Sequence, residues 1–140
     1  MNYWLAKSDP EEYSFQDLLR EKSTIWDGVR NFQARNNIAA MKKGDWVLIY
    51  HSGKEKSVAG IAKVSKPPAS DPTSSDKRWL AVELTAVRSL KNSVSLDILK
   101  KQRLFQNHAL IKQPRLSVMP VTKEEFVFVQ KVQGGGGSNQ

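Results

Sequence analysis

Trp46-Val47-Leu48-Ile49-Tyr50 and, after a short polar connection, Val58-Ala59-Gly60-Ile61-Ala62-Lys63-Val64 are the stretches whose reading decides the fold. The first is an almost continuous apolar run rich in strand-forming residues, opened by a turn at Asp45. The second continues the pattern. The linking Gly53-Lys54-Glu55-Lys56 is short enough for a hairpin. Gly60 inside a strand marks either a bulge or a close backbone approach.

Working toward the N-terminus, Asn31 to Met41 reads as a helix, with Ala34, Ile38 and Met41 on one face and Arg35 and Asn36 directed elsewhere. Lys42-Lys43-Gly44 ends it, with cations at the negative end of the dipole and a glycine free to turn left-handed. Trp26-Asp27-Gly28-Val29-Arg30-Asn31 has neither period and reads as a structured loop. A shorter helix starts at Ser14, whose hydroxyl pairs with Asp17 in a capping box while Tyr13 and Leu18 have staple spacing. Asn2 to Ala6 is an opening strand that stops at Asp9-Pro10.

Toward the C-terminus, Lys66 to Ser75 is a surface loop by composition, and Trp79 to Val87 alternates as a strand. Ser95 caps a short basic helix ending at Lys101. Leu116 to Val121 is a last strand broken by Pro120. Thr122 and Glu125 form a capping box for a final helix, although Phe126-Val127-Phe128-Val129 also alternates like a strand. Gly134 to Gln140 has the composition of a flexible tail. The sum is an α+β domain over residues 1–133, a small mixed barrel of about five or six strands with short helices and no internal repeat.

With 140 residues the chain suits one domain, and no apolar run reaches a membrane-spanning length. The N-terminus has neither a basic leader nor a cleavage site, which leads us to expect a cytoplasmic protein, nuclear in a eukaryote. Cysteine is absent, so disulfides, thiolate metal sites and cysteine nucleophiles are excluded. The 22 Lys and Arg residues against 14 Asp and Glu leave a net charge of +8. Such a charge attracts polyanions, nucleic acid first among the soluble ones; it also simply keeps a small protein soluble.

No catalytic constellation stands out. His51 and His108 lie far apart, without a metal-ligand partner near either; His51 reads as a hydrogen-bonded structural residue and His108 as a surface one. Glu11-Glu12 and Glu124-Glu125 read as solvated helix starts favouring the dipole. The segment Trp26 to Asn36 is different. It packs a large ring, two guanidinium groups, several amides and a glycine into a very short span. That mixture suits an unstacked base: a ring to stack, an amide or carboxylate to read an edge, arginine for the phosphate. Spacing alone equally allows Trp26 to be core and the arginines to be solvated. Lys7-Ser8-Asp9 and Tyr50-His51-Ser52 are further polar clusters at strand ends, where small barrels bind ligands.

Tyr3-Trp4-Leu5 with Lys7-Ser8-Asp9-Pro10, Trp26-Asp27-Gly28-Val29-Arg30-Asn31, Gln33-Ala34-Arg35-Asn36, Tyr50-His51-Ser52, Gly60-Ile61-Ala62, Arg115-Leu116-Ser117-Val118 and Pro120-Val121-Thr122 form an ordered series that runs over nearly the whole chain up to Val129. Order and approximate spacing resemble the EVE domain, a PUA-like barrel related to YTH readers of methylated adenine. The resemblance implies a non-enzymatic module with a pocket for a modified, flipped-out base, with 5-methylcytosine or an oxidised derivative in DNA favoured. It implies a base pocket of Ser8, Trp26, Asp27, Val29, Asn31, Tyr50 and Ser52. It also implies nucleic-acid backbone contacts from Lys7, Arg30, Arg35, Asn36 and Arg115. The partner expected is nucleic acid carrying a modified base, with no membrane, metal or cofactor, and the protein is expected to be a monomer. Two departures stand out: Asp9 replaces a more usual glutamate, and the Pro67–Lys77 loop is shorter than in many relatives. The rival implied by the neighbouring ASCH branch is a metal-independent ribonuclease using Lys7, Tyr50 or His51. A generic RNA-binding domain is a third reading.

Overall fold

The computed structural model describes residues 1–135. In chain order its elements are β1 (Tyr3–Ser8), α1 (Phe15–Glu21), β2 (Ser23–Trp26), α2 (Phe32–Ala40), β3 (Trp46–His51), β4 (Ser57–Val64) and β5 (Ala69–Ser70). There follow β6 (Leu80–Ser95), α3 (Leu96–Lys100), a 3-10 turn (Arg103–Phe105), α4 (Ala109–Lys112), β7 (Val118–Val121) and α5 (Lys123–Gly135).

The expected hairpin forms, β3 antiparallel to β4, and it is the centre of the sheet. The strand order is β2-β6-β4-β3-β1-β7, with β5 on β6. Among the described residues only β1 and β3 run parallel, which brings their C-terminal ends to one side. The α+β class holds, yet the sheet has seven strands and its hydrogen-bonded path does not close. The two strands not foreseen are β2 and β5, of four and two residues, too short to establish a period. They exist because the long β6 offers each of them a partner.

Local signals worked where a side chain caps a helix. Ser14 Oγ accepts from the Asp17 amide at 3.1 Å while Asp17 Oδ2 accepts from the Ser14 amide at 2.9 Å. Asn31 Oδ1 accepts from the Ala34 amide at 2.9 Å and starts α2. At Thr122, the reciprocal pair with Glu125 (2.8 and 3.1 Å) decides for helix over strand in 126–129. Pro120 is tolerated because β7 is an edge strand that needs donors on one side only. Helix α5 runs to Gly135, two residues into the segment read as a tail; residues 136–140 lie outside the described residues.

Two expectations are corrected. His108 is not a surface residue: it is buried, its Nδ1 accepts from the Leu110 amide at 3.0 Å, and its ring packs on Phe105. It caps α4, an element too short to leave a periodic trace. Of the paired glutamates, Glu125 is buried by its capping role, and Glu12 sits in the turn hinged on the Asp9 carbonyl, ahead of α1.

Gly60 satisfies both of its readings. The β4–β6 register shifts beside it, and a Cβ there would clash with the ring of Phe15, the fully buried first residue of α1. Gly60→Ala is therefore expected to cost about 1–3 kcal/mol through overpacking. Urea unfolding measures it; an unchanged midpoint would show that Phe15 can move aside.

Candidate functional site

The parallel register sets Lys7 beside Tyr50 and Ser8 beside His51, and the Ser52 amide donates to the Ser8 carbonyl at 2.9 Å. Two of the polar clusters thus converge because one strand pair ends there. Lys7 is half-buried. Its Nζ donates to the Pro114 carbonyl at 2.9 Å and stands 5.8 Å from the centre of the Tyr50 ring. Burial pulls the Lys7 ammonium below its ordinary pKa and pushes the Tyr50 phenol up.

A cavity opens on either side of Lys7. The first, of about 330 Å³, lies between Lys7, Ser8, Glu12, Tyr13, Trp26 and Asp27. Trp26 is 9% exposed, so its indole is mostly packed into the core, with an edge left on the cavity. Tyr13 meets it edge-on, ring centres 6.3 Å apart. The Tyr13 hydroxyl is held by Glu21 Oε1 at 2.6 Å, and burial first, then that carboxylate, raises its pKa. Ser8 Oγ donates to the Tyr13 carbonyl at 2.6 Å, fixing the turn that carries Glu12. The wall is aromatic, and the rim holds two carboxylates, Glu12 and Asp27, which when ionised only accept hydrogen bonds.

The second cavity, also about 330 Å³, lies among Lys7, Tyr50, Ser52, Lys56, Lys100 and Pro114. Its charged residues are all cations, and among the described residues none of these three lysines makes an ion pair, so it suits an anion. Asn31 and Arg115 line a third, of about 270 Å³.

The residues implied by resemblance therefore divide. Lys7, Ser8, Trp26 and Asp27 come together; Tyr50 and Ser52 face the lysine cavity; Asn31 and Arg115 share the third, with the Asn31 side chain also committed to capping α2. Val29 is core and lines none of the three. Arg30 is held by the buried carboxylate of Asp71 at 2.9 Å and by Thr73 Oγ1 at 3.0 Å. Arg35 donates to the Arg78 carbonyl at 2.6 Å and to Asn36 Oδ1 at 2.9 Å. These two arginines anchor the 71–79 loop.

Sequence reading missed Glu12, Tyr13, Lys56, Lys100 and Asp71. Lys56 and Lys100 follow a turn and end a short helix, positions where lysine is ordinary, so nothing local marks them. Asp71 sat in a loop read as solvated, yet it accepts from the Gly28 amide, Arg30 and both donors of Thr73. His51 is structural as read: Nε2 accepts from the Phe15 amide at 3.0 Å and Nδ1 bonds Glu55 at 2.8 Å. No group of three or more His, Asp or Glu residues stands ready for a metal among the described residues, and no helix there is long and apolar enough to cross a membrane.

The domain is thus an α+β sheet whose only parallel pair among the described residues ends in polar side chains beside an aromatic-walled cavity. ASCH from Zymomonas mobilis shares this fold, with a TM-score of 0.56 at 16% identity over 90% of this chain and 92% of that one, a likeness of fold alone. The chain belongs to the EVE domain family, whose model matches residues 2–132. Thymocyte nuclear protein 1 of Homo sapiens is 34% identical over 94% of this chain and 74% of its own length. A crystal structure of human THYN1 in complex with DNA containing 5-methylcytosine superposes with a TM-score of 0.88 at 34% identity, covering 95% of this chain and 98% of that one.

Proposed function

We propose that the protein is a non-enzymatic reader of DNA that receives a flipped-out modified cytosine in the cavity beside Trp26. The observation that carries the reading is the pairing of an aromatic wall with acceptor-only groups: Trp26 and Tyr13 beside Asp27 and Glu12. Cytosine presents an exocyclic amine that carboxylates accept from, and a face that stacks on an indole or phenol. A volume of about 330 Å³ lies at the small end of ligand pockets and suits one base better than a larger group. The likeness to human THYN1, seen with DNA containing 5-methylcytosine, supports the same ligand class.

Lys7 stands between the base cavity and the lysine cavity, so a nucleotide entering the first has cations for its phosphate in the second. Arg115 extends that positive side. His51 has neither ring nitrogen free for proton transfer, which favours binding over the ribonuclease reading.

The test is titration of matched oligonucleotides carrying cytosine or 5-methylcytosine at one position. One buried methyl group is worth about 0.8 kcal/mol, so a preference of roughly fourfold is expected. Asp27→Ala should weaken both oligonucleotides, because the amine it accepts is common to them. Equal affinity for modified and plain DNA, unmoved by Asp27→Ala, would sink the reading.

A further inference from the structure

Phe32 opens helix α2 with its side chain in solvent: it is 53% exposed, a position that folding alone gives no reason to fill with a large ring. Its ring stacks on Trp79, centres 4.7 Å apart and planes within 25°. A guanidinium attends each ring, Arg30 at 5.7 Å from the Trp79 centre and Arg78 at 5.7 Å from that of Phe32. Each arginine is itself held by a carboxylate, Arg30 by Asp71 at 2.9 Å and Arg78 by Asp76 at 2.8 Å. The Arg35 bond to the Arg78 carbonyl ties the loop to α2. The result is an assembly of two rings and two planar cations, built from two segments far apart in the chain.

We infer that this Phe32–Trp79 stack is a second contact with the bound strand, a platform for an unstacked base flanking the modified one. It rests on the reading of the Trp26 cavity given above. Two observations select a nucleobase as the occupant. Guanidinium planes over the two rings extend the flat π-surface on which a base stacks, and with each cation already paired to a carboxylate the attraction is for a ring, which an aliphatic protein surface does not supply. The platform is also joined to the rim of the base cavity. The Gly28 amide and the Arg30 guanidinium converge on one oxygen of Asp71, so the loop from Asp27 to Phe32 is fixed between the two sites. Five residues of extended chain reach at most about 17 Å, which corresponds to roughly five nucleotides at 3.4 Å each. Because the scaffold is already ordered, stacking a base there costs little further entropy.

The experiment uses the whole chain and single-stranded DNA with one 5-methylcytosine and a 5-iodouracil at each of the five positions on either side in turn. Photocrosslinking followed by peptide mass spectrometry should place an adduct on Phe32 or Trp79 at one or two adjacent positions. Phe32→Tyr, which keeps the ring, should bind within about twofold of the parent. Phe32→Leu, which keeps apolar packing and removes the ring, should weaken binding roughly 5- to 150-fold, the range for one stacked base. Adducts confined to other residues at all ten positions, or Phe32→Leu binding as the parent does, would overturn the platform, and the wild-type crosslinks decide it even if Phe32→Leu fails to fold. Loss of the platform would leave the preference for 5-methylcytosine intact. Loss of that preference with Phe32 adducts present would instead strike the cavity reading.

Discussion

Trp26→Ala is expected to cost about 3–5 kcal/mol of folding free energy and to abolish discrimination of the modified base. The stability part follows from burial: at 9% exposure the indole is core on all but one edge, and truncation of a buried aromatic leaves a cavity the sheet cannot close. The binding part follows from that remaining edge, which walls the site together with Tyr13. Since one substitution touches both, Trp26→Phe separates them. Phenylalanine fills much of the core volume and still offers a smaller stacking face, so it should recover most of the stability and only part of the affinity. Chemical denaturation and oligonucleotide titration on both variants check this. If Trp26→Phe binds like the parent while Trp26→Ala is folded and also binds like it, the indole is purely structural.

The second large effect is at Asp71. Its carboxylate is buried and accepts from the Gly28 amide, the Arg30 guanidinium and the amide and hydroxyl of Thr73. Burial alone would raise its pKa; the donors outweigh it, the Thr73 hydroxyl and Arg30 foremost, and hold the group far below its ordinary 3.8. Asp71→Ala should lower stability by about 2–4 kcal/mol, because it strands two backbone donors and removes the charge that fixes Arg30. It should also loosen the rim at Asp27 and Gly28 and so weaken DNA binding more than a distant destabilising change of equal size does. A depressed carboxylate contributes stability that is complete above its unfolded pKa and disappears as pH falls toward the folded value. The parent should therefore lose stability below about pH 4 more steeply than Asp71→Ala does. Asp45 adds to that slope in both proteins, since burial is outweighed there by donors from Trp4 and from the Asn2 and Lys42 amides. Urea unfolding at several acidic pH values measures the difference; parallel profiles would show that Asp71 is not ionised as described.

How much was legible depended on the range of the interaction involved. The capping boxes at Ser14 and Thr122, the helix beginning at Asn31 and the β3–β4 hairpin were readable because the residues that mark them lie within a few positions of each other. The family motifs were readable as a series, and they located Trp26, Asp27 and Ser8 on one cavity. They also drew Tyr50, Ser52, Asn31 and Val29 into that same pocket, whereas the sheet distributes them over two other cavities and the core. The strands β2 and β5 escaped notice because each is shorter than one clear period and owes its existence to β6.

By itself, then, the sequence determined the α+β class, the helix starts, the central hairpin, the positive charge and the aromatic, amide and arginine mixture around Trp26. Those follow from periodicity, side-chain capping and composition, all of which act over a few residues or over none. Only the tertiary structure decided that Lys7 stands between two cavities, that Glu12 faces one of them, that Asp71 is buried under Arg30, and that Phe32 rests on Trp79. Each of these joins residues across a strand pairing or a loop, and the contact energies that select among such pairings leave no mark on the chain nearby.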